Sequence, residues 1–308
     1  MRHPRLKPDS QDTWHHCYNR FVGTSQDRPM SDADKEQFIR LLRRVAKLYT
    51  VRIVAYQVMS NHFHLLLMAP AELPSPEETA RRVERFFRGR RRVIPGTPDC
   101  ERWQRRLRDV SWCLRHLEQL FASWYNRTRP LRRRGPVWAG RFKNTVLEPG
   151  QALWNGWVYL AHNPVRAGLV ADAADYRFSS YGHWEQTGQH PFEEALEKVL
   201  KPALPEPYRG MGSKALRRAM RQVLRQRSAQ EGRREPEKGA PMFVLEVGRR
   251  VRHWVDGLVI GSERFVRETM RRVRGEVAVA RRRLVRAVGP GAEIAPLCCW
   301  QRLRTIPL

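Results

Sequence analysis

Residues Val51 to Ala69, VRIVAYQVMSNHFHLLLMA, constrain the fold of this chain more than any other stretch. They read as two apolar strands joined at Met59-Ser60-Asn61, with Leu65-Leu66-Leu67 continuing the second as a buried strand. Within that second strand His62 and His64 lie two residues apart. Successive side chains of a strand leave opposite faces, so both imidazoles emerge on one face and Phe63 on the other. Such a pair on so apolar a strand is a ready-made pair of metal ligands. The alternative is two hydrogen-bonded core histidines, each buried ring nitrogen requiring its own partner. Spacing alone leaves both readings open.

The surrounding sequence supplies a fold for that hairpin. Trp14 to Val22 has the aromatic and β-branched content of a first strand. His15 and His16 are adjacent there, point to opposite faces, and are read as structural. Ser31 fits a helix N-cap, and Phe38, Leu41, Leu42, Val45 and Leu48 form an apolar stripe at helical spacing. Strand, helix, strand, strand opens an α+β sandwich with an antiparallel, ferredoxin-like sheet.

From Pro70 to Asp109 the chain turns Pro-rich and then strongly basic, with Phe86 and Phe87 set among arginines. A solvated basic helix is the favoured reading, and a phosphate clamp with base stacking is the other. Ser111 to Asn126 reads as a helix with Leu114, Leu117, Phe121 and Trp124 on one side. Val137 to Leu147 reads as a strand that shares Arg141 and Lys143 on one face and turns Phe142 to the other. Gln151 to His162 is predicted helical, with Pro164 ending it or opening the next helix. Tyr159 and Asn163 are four residues apart and so fall one turn from each other. Taken singly, Tyr159 reads as a packed aromatic and Asn163 as an N-cap ahead of Pro164.

Charge narrows the class of partner. The chain of 308 residues carries 58 Lys plus Arg against 31 Asp plus Glu, a formal charge of +27. Most of these cations are arginine, whose planar fork binds two phosphate oxygens at once. Self-repulsion of this size favours a polyanion as partner, and nucleic acid is the natural one. The five cysteines form no CxxC pair, which argues for reduced thiols and a cytoplasmic location. The start lacks the apolar core of a signal peptide, and no run of about 18 apolar residues could span a bilayer.

In order and spacing, SNHFHLLL, GPVWAGRFK, YLAHNPVRAGLV and YRFSSYGHW together resemble the REP-associated tyrosine transposases. These belong to the HUH single-tyrosine transposase superfamily, in which histidine-hydrophobe-histidine is the metal motif. The resemblance covers residues 12–185. It implies that His62 and His64 hold a divalent cation, Mg or Mn, with Asn163 as a polar third ligand. It further implies that Tyr159 is the nucleophile, leaving a 5′-phosphotyrosine and a free 3′-hydroxyl on single-stranded DNA next to a hairpin. Arg141, Lys143 and Arg166 then become candidates for the DNA backbone, and Phe86, Phe87 and Tyr125 for base stacking. Tyr176 and Tyr181 compete less well as nucleophiles, since neither has Asn or Gln four residues later.

The expected organisation is a disordered basic lead (1–12), an HUH catalytic domain (13–185) with a basic insertion at 71–110, a basic helix and linker (186–240), and an accessory helical DNA-binding tail (241–308). Gly261-Ser262-Glu263 would cap a helix of that tail. The protein is expected to be nucleoid-associated, a monomer or homodimer. The competing reading is a non-catalytic DNA- or RNA-binding protein of the same fold.

Overall fold

A mixed seven-stranded sheet organises the computed structural model, which describes residues 11–23, 29–129, 134–232, 254, 257–274, 285–287 and 297–301. Its strands are β1 (Thr13–Arg20), β2 (Arg52–Val58), β3 (His62–Ala69), β4 (Lys143–Leu147), β5 (Gly257–Gly261), β6 (Val285–Ala287) and β7 (Leu297–Gln301). They lie in the order β2-β3-β1-β4-β5-β7-β6. The first four pair antiparallel, with α1 (Asp32–Leu48) between β1 and β2. That is the ferredoxin-like arrangement the sequence predicts, and the chain is α+β.

Alternation divides the sheet into two unlike faces. Phe63, Leu65 and Leu67 of β3 and Cys17 of β1 turn toward α1 and α4 (Val110–Thr128), where they bury with Phe38, Leu117 and Phe121. α1 begins with a reciprocal cap: the Ser31 hydroxyl accepts from the Asp34 backbone N–H, and the Asp34 carboxylate accepts from the Ser31 N–H. The basic stretch after β3 folds into α2 (Pro76–Phe87) and α3 (Pro98–Leu107), capped by Ser75 and Thr97. These two helices bury Val83, Trp103 and Leu107 against the same core and leave most of their arginines at the surface.

The opposite face is covered by α5 (Gln151–Arg166), backed by α6 (Ser180–Thr187) and by Leu216, Met220 and Leu224 of α7 (Ser213–Gly232). One sequence expectation is corrected here: α5 does not stop at Pro164 but runs through it to Arg166. A proline so near a helix C-terminus forfeits a single intrahelical bond, which the surrounding burial outweighs. Asn163 therefore sits inside a continuous helix and caps nothing.

The basic helix expected within 186–240 is present as α7; of the helical tail expected over 241–308, α8 (Glu263–Arg274) is a helix, and the expectation is corrected for 257–261, 285–287 and 297–301. Those residues are strands of the main sheet, β5 running parallel to β4 through Val146–Val259 and Leu147–Ile260. The physical reason is that β4 would otherwise expose an unpaired edge. Val259 packs with Val146, Val266 and Met270, while Ile260 packs with Leu147 on the α5 side. Ser262 does cap α8, accepting from the Phe265 N–H at 3.2 Å, and the Glu148 carboxylate accepts from both the N–H and the hydroxyl of Ser262. Residues 1–10 of the basic lead, the linker after 232 and the remainder of the tail lie outside the described residues.

Candidate active site

The register of the sheet assembles the site. Tyr18 stands opposite His64 and Arg20 opposite His62 across the β1–β3 pair. Gln57 of β2 flanks His64 on the other side, and Lys143 of β4 flanks Tyr18. Antiparallel partners share a face, so the alternating residues His16 and Tyr18 join the two β3 histidines on the side covered by α5. His16 was read as structural because its neighbour His15 points the other way. His16 nonetheless joins the cluster directly: its Nε2 lies 2.9 Å from His64 Nδ1. His15 bonds Thr13 on the far face.

α5 lays Tyr159 over this cluster. The phenol ring meets His64 edge-on at 5.6 Å between centroids, and His16 at 5.8 Å. His62 and His64 are themselves perpendicular at 5.1 Å, with Tyr18 against both. Asn163 follows one turn after Tyr159, its amide nitrogen buried without a hydrogen-bond partner. The Asn163 side chain draws the Tyr159 pKa down. His62, by contrast, is tied by its Nδ1 to Asn61 Oδ1 at 2.6 Å.

The tail closes the cluster from above. Trp254 stacks on the Tyr159 ring at 5.2 Å and 16°. Its backbone carbonyl accepts from His16 Nδ1 at 3.0 Å and from the Thr145 hydroxyl at 3.4 Å. Gly156 makes this approach possible, because a Cβ there would stand 3.2 Å from the Trp254 ring and 2.9 Å from Leu147. Tyr159 is consequently only 3% exposed.

Burial dominates the electrostatics. It pushes the Tyr159 hydroxyl up to about 12; the Arg166 guanidinium, the Asn163 amide and Arg227 pull it partway back. The Arg166 guanidinium carbon lies 5.8 Å from the centre of the phenol ring. Burial also holds the His64 imidazole well below the ordinary histidine range, helped by repulsion from His16, His62 and Arg166. Two imidazoles and an amide are a donor set that suits a divalent cation. With Nδ1 of His62 and of His64 each engaged by a neighbour, the Nε2 atoms are the ring nitrogens such an ion would use. Among the described residues, no group of three or more His, Cys, Asp or Glu side chains is disposed to hold a metal.

The remaining sequence candidates divide. Lys143 faces the site beside Tyr18, while Arg141 is exposed on the bend just before β4 and Arg166 is exposed at the end of α5. Tyr125, Phe86 and Phe87 lie on the opposite face of the sheet, Tyr125 buried in its core and Phe86 and Phe87 partly buried against it. Tyr125 is buried, donates its hydroxyl to the Pro29 carbonyl at 2.8 Å, and carries Arg129 over its ring. Phe86 and Phe87 pack on each other, Phe86 against His116 and Phe87 against Trp103. Tyr176 donates its hydroxyl to the Val58 carbonyl in the same core. Tyr181, in the first turn of α6, is buried at 1% exposure, its hydroxyl pushed well up by burial. Sequence reasoning missed His16, Tyr18, Gln57, Arg227 and Trp254. Alternation along β1 marks His16 and Tyr18 as a pair, but which strand they face is invisible without the register.

No protein-family model matches the chain, and no curated protein matches it. Among solved structures, a REP-associated tyrosine transposase bound to a REP hairpin aligns with 63% of this chain and 90% of its own, at a TM-score of 0.41 and 14% identity. A likeness that distant carries no weight beside the geometry.

Proposed function

We propose that this chain is a metal-dependent endonuclease and transposase of single-stranded DNA that uses a tyrosine nucleophile, the chemistry its sequence motifs resemble. The observation that carries the reading is the meeting, within one chain, of Tyr159 with His64, which in turn stands against His62. One strand and a distant helix converge there, and Asn163 stands one turn beyond the phenol. Because a chain's own tyrosine reaches its own histidines, a monomer suffices, although a homodimer is compatible.

Tyr159 is the nucleophile. Its oxygen attacks the phosphorus of a phosphodiester, the bond from phosphorus to the 3′-oxygen breaks, and the strand is left as a 5′-phosphotyrosine and a 3′-hydroxyl. The phenolic proton leaves to solvent and the departing 3′-oxygen takes one up. An unaided phenol is a weak nucleophile, so lowering the cost of its anion matters. Arg166 and Asn163 act in that direction on Tyr159. A divalent cation, Mg or Mn, held by His62, His64 and Asn163 would supply polarisation of the phosphate oxygens and stabilisation of the charge that develops on them. Arg166, Arg141 and Lys143 are placed on the strand's phosphates, where arginine and lysine neutralise backbone charge. The covalent link conserves the phosphodiester energy, so rejoining needs no nucleotide cofactor. Hairpin-bearing single-stranded DNA is the substrate class that the motif resemblance implies.

A second reading has one observation in its favour. Tyr159 is buried beneath Trp254, as befits a DNA- or RNA-binding protein of the same fold that does not cut. One assay separates the two. The full chain is incubated with single-stranded hairpin DNA and Mn or Mg, then run under denaturing conditions. A covalent protein–DNA adduct that disappears in Tyr159→Phe is expected. No adduct under any condition, with binding that simply weakens in salt, would leave the non-catalytic reading standing.

A further inference from the structure

The structure assigns His16 a positioning role: it relays the Trp254 backbone carbonyl to His64, fixing which nitrogen of His64 is available to a cation. This rests on the proposed function, since it concerns the same histidines. The relay follows from what each atom can do. A carbonyl oxygen only accepts, so the 3.0 Å contact requires a proton on His16 Nδ1. Both imidazoles are almost fully buried, 2.9 Å apart at their facing nitrogens. One proton lies between the two facing nitrogens, and a cation on His64 Nε2 requires a lone pair there.

A neutral His16 protonated at Nδ1 carries a lone pair on Nε2. The facing His64 Nδ1 must then donate to it, which leaves the lone pair of His64 on Nε2. Ligating histidines ordinarily have their second ring nitrogen held by a carboxylate, a backbone carbonyl or water. Here another imidazole stands in that place, itself oriented by a carbonyl 238 residues away in sequence. His62 has the corresponding support from Asn61, in the adjacent residue. The two histidines of one motif are thus oriented by different means, one local and one contributed by the tail.

Two measurements on the full chain test this. In wild type labelled with ¹⁵N, long-range ¹H–¹⁵N correlation of the imidazoles should find both His16 and His64 protonated at Nδ1. Protonation of His64 at Nε2 overturns the assignment, and this readout needs no variant to fold. Titration with Mn alone, without DNA, should then show that His16→Phe weakens binding about 10- to 100-fold. His16→Gln, whose side-chain oxygen can accept from His64 in place of the ring nitrogen, should restore most of it. His64→Ala serves as the control. Wild-type binding that is lost in His64→Ala but unchanged in a folded His16→Phe overturns the role of His16 alone. Absence of Mn binding in wild type overturns the metal-dependent reading and the relay together.

Discussion

The two faces of the sheet are made by the same strands and could hardly be less alike. Toward α1 and α4, β3 presents Phe63, Leu65 and Leu67, which meet Phe38 and Phe121 in an aromatic and aliphatic core. Toward α5, the alternate positions present His62 and His64 at one end and Leu66 and Met68 at the other. On β3 the first face is therefore apolar along its whole length, whereas the second changes character partway along the strand. The difference teaches how such a fold tolerates a cluster of polar rings in its interior. Stability resides in the first face and in the apolar half of the second, so the polar half is free to be organised for chemistry.

The sharpest way to break that comparison is to alter each face in turn. Tyr159→Phe should abolish the denaturation-resistant adduct, on the order of the loss seen when a nucleophile is deleted from an enzyme. Its DNA affinity should be unchanged, and its thermal stability should move by about 1 kcal/mol or less. Phe121→Ala, on the far face, should instead cost about 3–5 kcal/mol of stability in denaturant melts. Adduct formed per folded molecule should stay at the wild-type level. If Phe121→Ala disabled the chemistry in protein shown to be folded, the division of labour between the faces would be wrong.

Acid should expose the same asymmetry. Burial depresses the His64 imidazole well below its usual range and takes His162 and His190 from 6.5 to about 4. A histidine whose folded pKa is lowered binds fewer protons than the unfolded chain between those values. Its contribution is complete above pH 6.5 and is lost as pH falls toward 4. Hydrogen exchange across that window should show α5 losing protection before α1 and α4. Uniform loss would show that the two faces share one acid response.

Smaller effects sharpen the outline of the site. Arg166→Ala should reduce the salt dependence of DNA binding by about one unit of slope. It should also raise the Tyr159 pKa further, measurable by ultraviolet titration, since Arg166 now holds it down. Smallest of all, Tyr125→Phe should cost about 1 kcal/mol for the lost hydroxyl bond to Pro29 and leave DNA affinity untouched. A marked loss of binding there would return Tyr125 to the nucleic-acid interface.

Much of this was legible in the sequence because it is governed by local periodicity. Alternation in HFH assigns both imidazoles to one face, and the four-residue step from Tyr159 to Asn163 survives in an unbroken helix. The strand and helix order up to β3 likewise yields the sheet. What escaped depends on register and on long loops. His16 reaches His64 from 48 residues away, through a strand pairing that no spacing rule encodes. Arg227 comes from a stretch whose composition reads as a basic helix and linker, and Trp254 from the tail beyond it, read as an accessory helical unit. Tyr125, Phe86 and Phe87 have the composition of a stacking platform, and only packing reveals that they are spoken for by the opposite core.

The parallel strand β5 has a practical consequence for anyone shortening this protein. It occupies the outer edge of β4 and ties that edge to Glu148 through Ser262. A truncation before Gly257, however natural it looks from the mapped motifs, would strip β4 of its neighbour and bare Val146 and Leu147. Such a fragment should self-associate edge to edge and come out of solution, whatever the health of its chemistry.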